Sequence, residues 1–417
     1  MTTLQETLPP ILGHTVPTPL LAPAELSLLA RLHQVMDASL RELAPQNDAA
    51  GRYPSASMAA LKQAGLLSAV VPQDLGGMGI SHAASLEIQM RLATVDPAVG
   101  QLYKVHDELV REIFAYCPEF QRARLADFIV NQQQIVGLAV AESGRSAVEP
   151  LKTTATPTGD GGFVVDGLKI YTTGAAEADQ IATWAFNAAA ATADNPILGM
   201  QLLLIPKDTA GVTVNRDWDA LGQRATDSGS ISFDNVQCPA EWVGSVTGKA
   251  PLLQSALRYQ AGFAALLCGM GFGALAAAVP FINEKSRPWA QTGVEHANQD
   301  PMVLRSAGEM AADLACAWAA TQRCGELLDA YEAGKISRGQ LAIPISAAKS
   351  AASRAALKCT GELHALMGTR SVAGGAGFDY WWRNARTLAL HDPMEWKNHE
   401  IGRHVITGWE PEPGIYQ

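Results

Sequence analysis

The sequence predicts a mainly α-helical protein with a β-domain set in its middle. Three textures in chain order carry that expectation. From about Glu25 to Gln134 the signals are helical. From about Ile135 to Val246 short apolar runs alternate with turn-forming clusters, and from Pro251 onward Ala-rich helical patterns return. The expected units are an extended Pro-rich arm over 1–24, a helical domain over 25–134, a β-domain over 135–246 and a second helical domain with its tail over 247–417.

In the first helical region, Ser55 opens a helix that Gly65 closes, and the Gly-rich loop Q-D-L-G-G-M-G-I-S leads into another. Asp96-Pro97 starts a third helix, because Asp caps well and Pro suits the first helical position. In the middle, G-L-A-V-A-E-S, F-V-V-D-G-L-K-I-Y-T-T, I-A-T-W-A-F, M-Q-L-L-L-I-P and G-S-I-S-F-D-N-V read as strands. Asp300-Pro301 starts a helix in the last region, and G-G-A-G at 374–377 interrupts one.

Composition narrows the function. Apolar residues make up 48% and charged residues 17% of the 417, which describes a packed globular chain. The formal charge of −10, with no long basic run, argues against a nucleic-acid partner. Six scattered cysteines without a C-x-x-C pair suit a reducing compartment and offer no metal site. The N-terminus lacks a signal-peptide pattern, so a cytoplasmic protein is expected. Ala261 to Ile282 carries no charge and is long enough for a bilayer, but its Ala and Gly residues and Pro280 favour a buried helix over a membrane span.

Two local patterns suggest chemistry. A strand ending in Tyr171-Thr172-Thr173 places residues 171 and 173 on one face. In L-H-D-P-M-E, Asp392 as N-cap, Pro393 at the first helical position and Glu395 at the third set His391 just outside a helix. That breaks any i, i+4 metal array of His391 with Glu395 and His399. It leaves a loop-tip histidine near its ordinary pKa, suited to proton transfer around neutral pH. His106, on the helix after Asp96-Pro97, is a further pocket candidate.

The helical, β, helical order and several motifs resemble the acyl-CoA dehydrogenase fold. The carriers are V-V-P-Q-D-L-G-G-M-G at 70–79, A-V-A-E-S at 139–143, V-V-D-G-L-K-I-Y-T-T-G-A at 164–175 and L-G-Q-R-A-T-D-S-G-S-I-S-F-D-N-V at 221–236. Within it, D-W-D-A-L-G-Q-R-A-T-D-S-G-S, S-R-P-W and G-F-D-Y-W-W-R-N-A-R-T-L-A-L-H-D-P are similar to the flavin-dependent monooxygenase branch that includes dibenzothiophene monooxygenases. The resemblance implies an N-terminal helical domain, a middle β-barrel or sandwich and a C-terminal four-helix bundle, assembled as a homotetramer.

It also implies a site. Tyr171, Thr173, Glu142 and Trp218 would line the flavin, with the Thr173 hydroxyl reaching N5. Arg287 would meet the flavin phosphate, and Arg370 with Ser371 would reach a neighbouring subunit's cofactor. His391, Thr173 and His106 would be the catalytic residues. The Glu-Gly-Thr-type loop of the dehydrogenases is missing, as is a G-x-G-x-x-G turn for a nicotinamide. The implied scheme has two components: a separate NAD(P)H-dependent reductase supplies reduced FMN, which reacts with O₂ to a C4a-(hydro)peroxide. Leu138 and Val105, apolar where that branch has polar residues, point to a small sulfide, sulfone or sulfinate. An FAD-dependent acyl-CoA dehydrogenase and an N-hydroxylating monooxygenase are the alternatives on the same fold.

Overall fold

The structure, a computed structural model, describes residues 21–144, 150–250 and 255–414. The arm expected over 1–24 falls almost wholly outside these residues, and the first helix among the described residues begins at Pro23.

The N-terminal helices are α1 (Pro23–Val35), α2 (Arg41–Ala50), α3 (Ser55–Gln63), α4 (His82–Ala93), α5 (Pro97–Tyr116) and α6 (Arg122–Val130). A π-helical turn at Met36–Leu40 joins the first two. The caps are local chemistry: Asp96 accepts from the Ala98 and Val99 amides at the start of α5, and Ser81 accepts from Ala84 at α4.

The middle of the chain forms one seven-stranded sheet. Its strands are β1 (Val136–Ala139), β2 (Thr154–Pro157), β3 (Phe163–Lys169), β4 (Gln180–Phe186), β5 (Met200–Pro206), β6 (Val212–Val214) and β7 (Ile231–Cys238). They run in the order β1-β4-β2-β3-β7-β6, with β5 antiparallel along β4. The sequence reading missed β2 and β6, which at four and three residues are too short to carry a readable alternation.

The C-terminal helices are α7 (Ser255–Glu284), α8 (Pro301–Glu332), α9 (Arg338–Met367), α10 (Asp379–Ala389) and α11 (Met394–Thr407). α7 holds the charge-free stretch and lies in the bundle core, with Leu266, Leu267, Cys268 and Met270 fully buried. Its small residues let backbones touch: a Cβ on Gly269 would stand 2.3 Å from the Met90 carbonyl oxygen of α4.

Two expectations fail here. β3 ends at Lys169, and Tyr171 takes a left-handed conformation with φ of 54°. Strand alternation therefore does not align Tyr171 with Thr173: the first is 62% exposed and the second 8%. The cause is tertiary, since the Thr172 amide and hydroxyl both donate to the Gly229 carbonyl and pull the chain out of extension. The second failure is Asp392. α11 starts at Met394 with Pro393 in the cap position and no side-chain cap. The Asp392 carboxylate turns inward to Lys349 and Lys397 instead.

Candidate active site

The β-domain contributes a hydroxyl ladder at its edge toward the helices. The Ser228 hydroxyl donates to Thr173 Oγ1 at 2.9 Å and meets Thr226 Oγ1 at 2.7 Å, and Thr226 also donates to the Gln223 carbonyl. The Gln223 amide then donates to Asn384 Oδ1 on α10 at 2.7 Å. Contact here is tight enough that a Cβ on Gly222 would stand 2.0 Å from the Arg383 carbonyl oxygen. Asn384 and Arg383 in turn reach the buried Asp48 of α2. The ladder thus ties Thr173 to the helix that runs directly into His391. A broad cleft of about 890 Å³ lies beside this junction, lined among others by Asp48, Arg224, Gly374 and Trp381.

Tyr171 and Trp218 pair edge to face with ring centroids 6.1 Å apart, and the Trp218 indole donates to the Gln223 carbonyl. Because the Tyr171 ring is largely exposed, the pair offers an open aromatic surface next to the ladder. Leu138, on β1, donates its amide to the Thr173 carbonyl, which fixes the strand beneath. Val105, by contrast, is buried in the N-terminal core.

Glu142 is no solvated turn residue. Its carboxylate meets Lys169 Nζ at 2.6 Å and accepts from the Lys152 and Thr153 amides. Burial pushes its carboxyl up, but the Lys169 ammonium and the two backbone donors outweigh that and hold it below the ordinary Glu value. Its side chain braces the 140–144 loop from inside.

His391 sits against a lysine-rich wall. Its ring packs on Phe263 of α7 at 4.1 Å between centroids, and Nδ1 lies 3.4 Å from Asp392 Oδ1. Asp392 is paired with Lys349 of α9 and lies 3.6 Å from Lys397, and Lys349 also donates to Gln260 at 2.5 Å. Lys104 of α5 lies 4.0 Å from the centroid of the same Phe263 ring. The His391 side chain keeps 38% of its surface open while one face of its ring packs on Phe263. Burial, and then the ammonium groups of Lys349, Lys104 and Lys397, push its imidazole well below the usual histidine range. His391 is therefore neutral at pH 7, unlike the ordinary loop-tip histidine expected from sequence.

His106 stands apart from His391. It is 1% exposed; Nε2 bonds the Leu67 carbonyl at 2.8 Å and Nδ1 accepts from the Val136 amide at 3.0 Å. Both ring nitrogens are committed to backbone, and burial pushes its pKa down to about 4. It fastens β1 to the helices and is not a pocket residue. Ser371 is likewise occupied: its hydroxyl meets His364 Nδ1 and the Gly368 carbonyl.

Arg287 and Arg370 are both exposed. The Ser286 hydroxyl donates to the Met367 carbonyl, which brings their two loops together at one end of the bundle. Neither guanidinium makes a hydrogen bond or ion pair among the described residues. Sequence reasoning missed Ser228, Lys104, Lys349, Lys397 and the inward role of Asp392. Lysines within apolar helical patterns, Q-L-Y-K-V-H and S-A-A-K-S-A-A, were the available signal.

Comparison with known proteins matches the acyl-CoA dehydrogenase N-terminal, middle and C-terminal domains at residues 23–132, 137–236 and 261–396. Dibenzothiophene monooxygenase of Rhodococcus qingshengii is 34% identical over 389 residues, covering 90% of this chain and 92% of that one. A probable FMNH2-dependent monooxygenase, SfnC, of Pseudomonas putida is 30% identical, covering 90% and 94%. FMN-bound TdsC from Paenibacillus sp. A11-2 superimposes with a TM-score of 0.86 at 30% identity, covering 94% of this chain and all of that one.

Proposed function

This chain belongs to the acyl-CoA dehydrogenase family, and from that premise we infer that it is a two-component monooxygenase that uses reduced FMN and O₂ on a small organosulfur compound. The observation that carries the reading is the neutral His391 where a dehydrogenase needs a carboxylate base. The nearest carboxylate, Asp392, is 5% exposed and tied to two lysines, so it cannot take a substrate α-proton.

The residues present fit FMN. Arg287 and Arg370 offer two guanidiniums with no internal partner, the donor set that suits a phosphate monoester. Tyr171 and Trp218 offer the aromatic edge, and Thr173 a hydroxyl held by Ser228. When bound, reduced FMN supplies the two electrons and the centre that reacts with O₂.

The protein's own residues then position and shield. Ser228 orients the Thr173 hydroxyl, while Glu142 braces the loop beside it. With Nδ1 3.4 Å from the Asp392 carboxylate, His391 is the group held to take up and return one proton. Phe263 covers one face of the imidazole and keeps water from that side.

Reduced flavin arrives from a separate NAD(P)H-dependent reductase, as FMNH2-dependence of a relative supports. A homotetramer is supported by exposed apolar residues on the C-terminal helices, with Trp396 62%, Val405 75% and Ile406 84% exposed. The six unbridged cysteines suit the cytoplasm.

An oxygen electrode tests the reading. Photoreduced FMN, protein and a panel of sulfide, sulfone, sulfinate and amine should give oxygen uptake coupled to an oxygenated sulfur product. Coupling to the amine alone would overturn it.

A further inference from the structure

Two groups fitted above to the flavin, Thr173 and Trp218, hang on one residue. The Gln223 carbonyl accepts from the Trp218 indole at 3.0 Å and from the Thr226 hydroxyl at 2.8 Å, and Thr226 leads through Ser228 to Thr173. Gln223 is 4% exposed and takes a left-handed φ of 55°. A residue with a Cβ keeps that conformation where its surroundings enforce it. Its side-chain amide finds no hydrogen-bond partner among the described residues, so the backbone carries the whole link.

From outside the β-domain, Gln223 is held by Asn384 of α10. Asn384 is 1% exposed, and its Oδ1 accepts from the Gln223 amide at 2.7 Å. The carboxamide is fixed in its orientation, because Nδ2 donates to the Tyr380 carbonyl at 2.8 Å and to Asp48 Oδ1 at 3.5 Å. Asp48 also holds Arg383 at 2.6 Å, and its backbone carbonyl accepts from Arg224 at 3.0 Å. A helix from each helical domain and a loop of the β-domain therefore meet at one buried side chain.

The same helix leads to His391. α10 ends at Ala389, and the His391 amide donates to the Leu388 carbonyl of its last turn at 3.1 Å. From Asn384 to His391 is about two helical turns, a short and stiff span.

We propose that Asn384 is a positioning residue. Through Gln223 it sets Thr173 and Trp218 of the β-domain in register with His391 beyond α10, so that the flavin contacts and the proton-transfer group keep one geometry. This rests on the monooxygenase reading above.

Fluorescence quenching of oxidised FMN tests the link without turnover. Asn384→Ala should weaken FMN binding about fivefold, the effect of one lost hydrogen bond. In protein carrying Thr173→Val and Trp218→Phe, the same substitution should change affinity less than twofold, because the groups it acts through are gone. Asn384→Asp separates positioning from folding. It keeps the acceptor oxygen but sets a second carboxylate beside Asp48, so Tm should fall while FMN affinity stays within twofold of wild type. If neither Asn384 variant folds, Thr226→Val breaks the same chain inside the β-domain, with a loss of the same order expected.

Wild-type affinity in Asn384→Ala or in Thr226→Val would overturn the proposal. So would an undiminished fivefold loss in the background lacking the Thr173 hydroxyl and the Trp218 indole. If sulfur compounds are oxygenated but these effects simply add, the positioning role falls and the monooxygenase reading stands. If none is oxygenated yet the Asn384 effect vanishes in that background, the positioning role stands and the functional reading falls.

Discussion

His391→Ala should lower oxygenated product by about a hundredfold or more, the usual size of a lost general acid–base group. Binding of FMN should stay within a factor of two, because the residues fitted to the phosphate, Arg287 and Arg370, lie on other loops. Reduced flavin should still be consumed, with the oxygen released as hydrogen peroxide instead of being transferred. Peroxide and product measured in the same reaction separate these outcomes. Product at the wild-type rate would remove His391 from the reaction. Product and flavin affinity falling together would assign it to binding.

The second large effect concerns stability. Asp392→Asn should destabilise the fold by about 3–5 kcal/mol, because it leaves the Lys349 and Lys397 ammoniums buried beside each other without their shared carboxylate. Burial, followed by the neighbouring Lys397 and Lys104 charges, pushes Lys349 well below the usual lysine range, and Asp392 is the carboxylate that faces it. Adding Lys349→Met to Asp392→Asn should recover more than half of the loss, since the uncompensated charge goes with it. Chemical denaturation of the single and double variants measures this. A stable Asp392→Asn protein, or a double variant no better than the single, would show the pair contributes little.

The residues explain which features could be read from the chain. Helix starts at Asp96 and Asp300 were legible because the capping carboxylate and the amides it binds lie within three residues. The buried α7 helix was legible from its composition. Tyr171 was not: its turn is set by Gly229, 57 residues beyond the Thr172 that bonds it. Asp392 failed for the same reason, since the local cap geometry lost to Lys349, 43 residues upstream. His106 had the right helix but the wrong duty, because the Leu67 carbonyl and Val136 amide that claim it lie on distant segments. Site chemistry here is assembled by long-range pairs, while helix boundaries are local.

The most direct measurement is isotopic. Wild-type protein, reduced FMN as sole reductant and ¹⁸O₂ should give an oxygenated sulfur product carrying one ¹⁸O atom per turnover. Product oxygen drawn only from water, or enoyl-CoA formed from an acyl-CoA without oxygen insertion, would contradict a monooxygenase at this site.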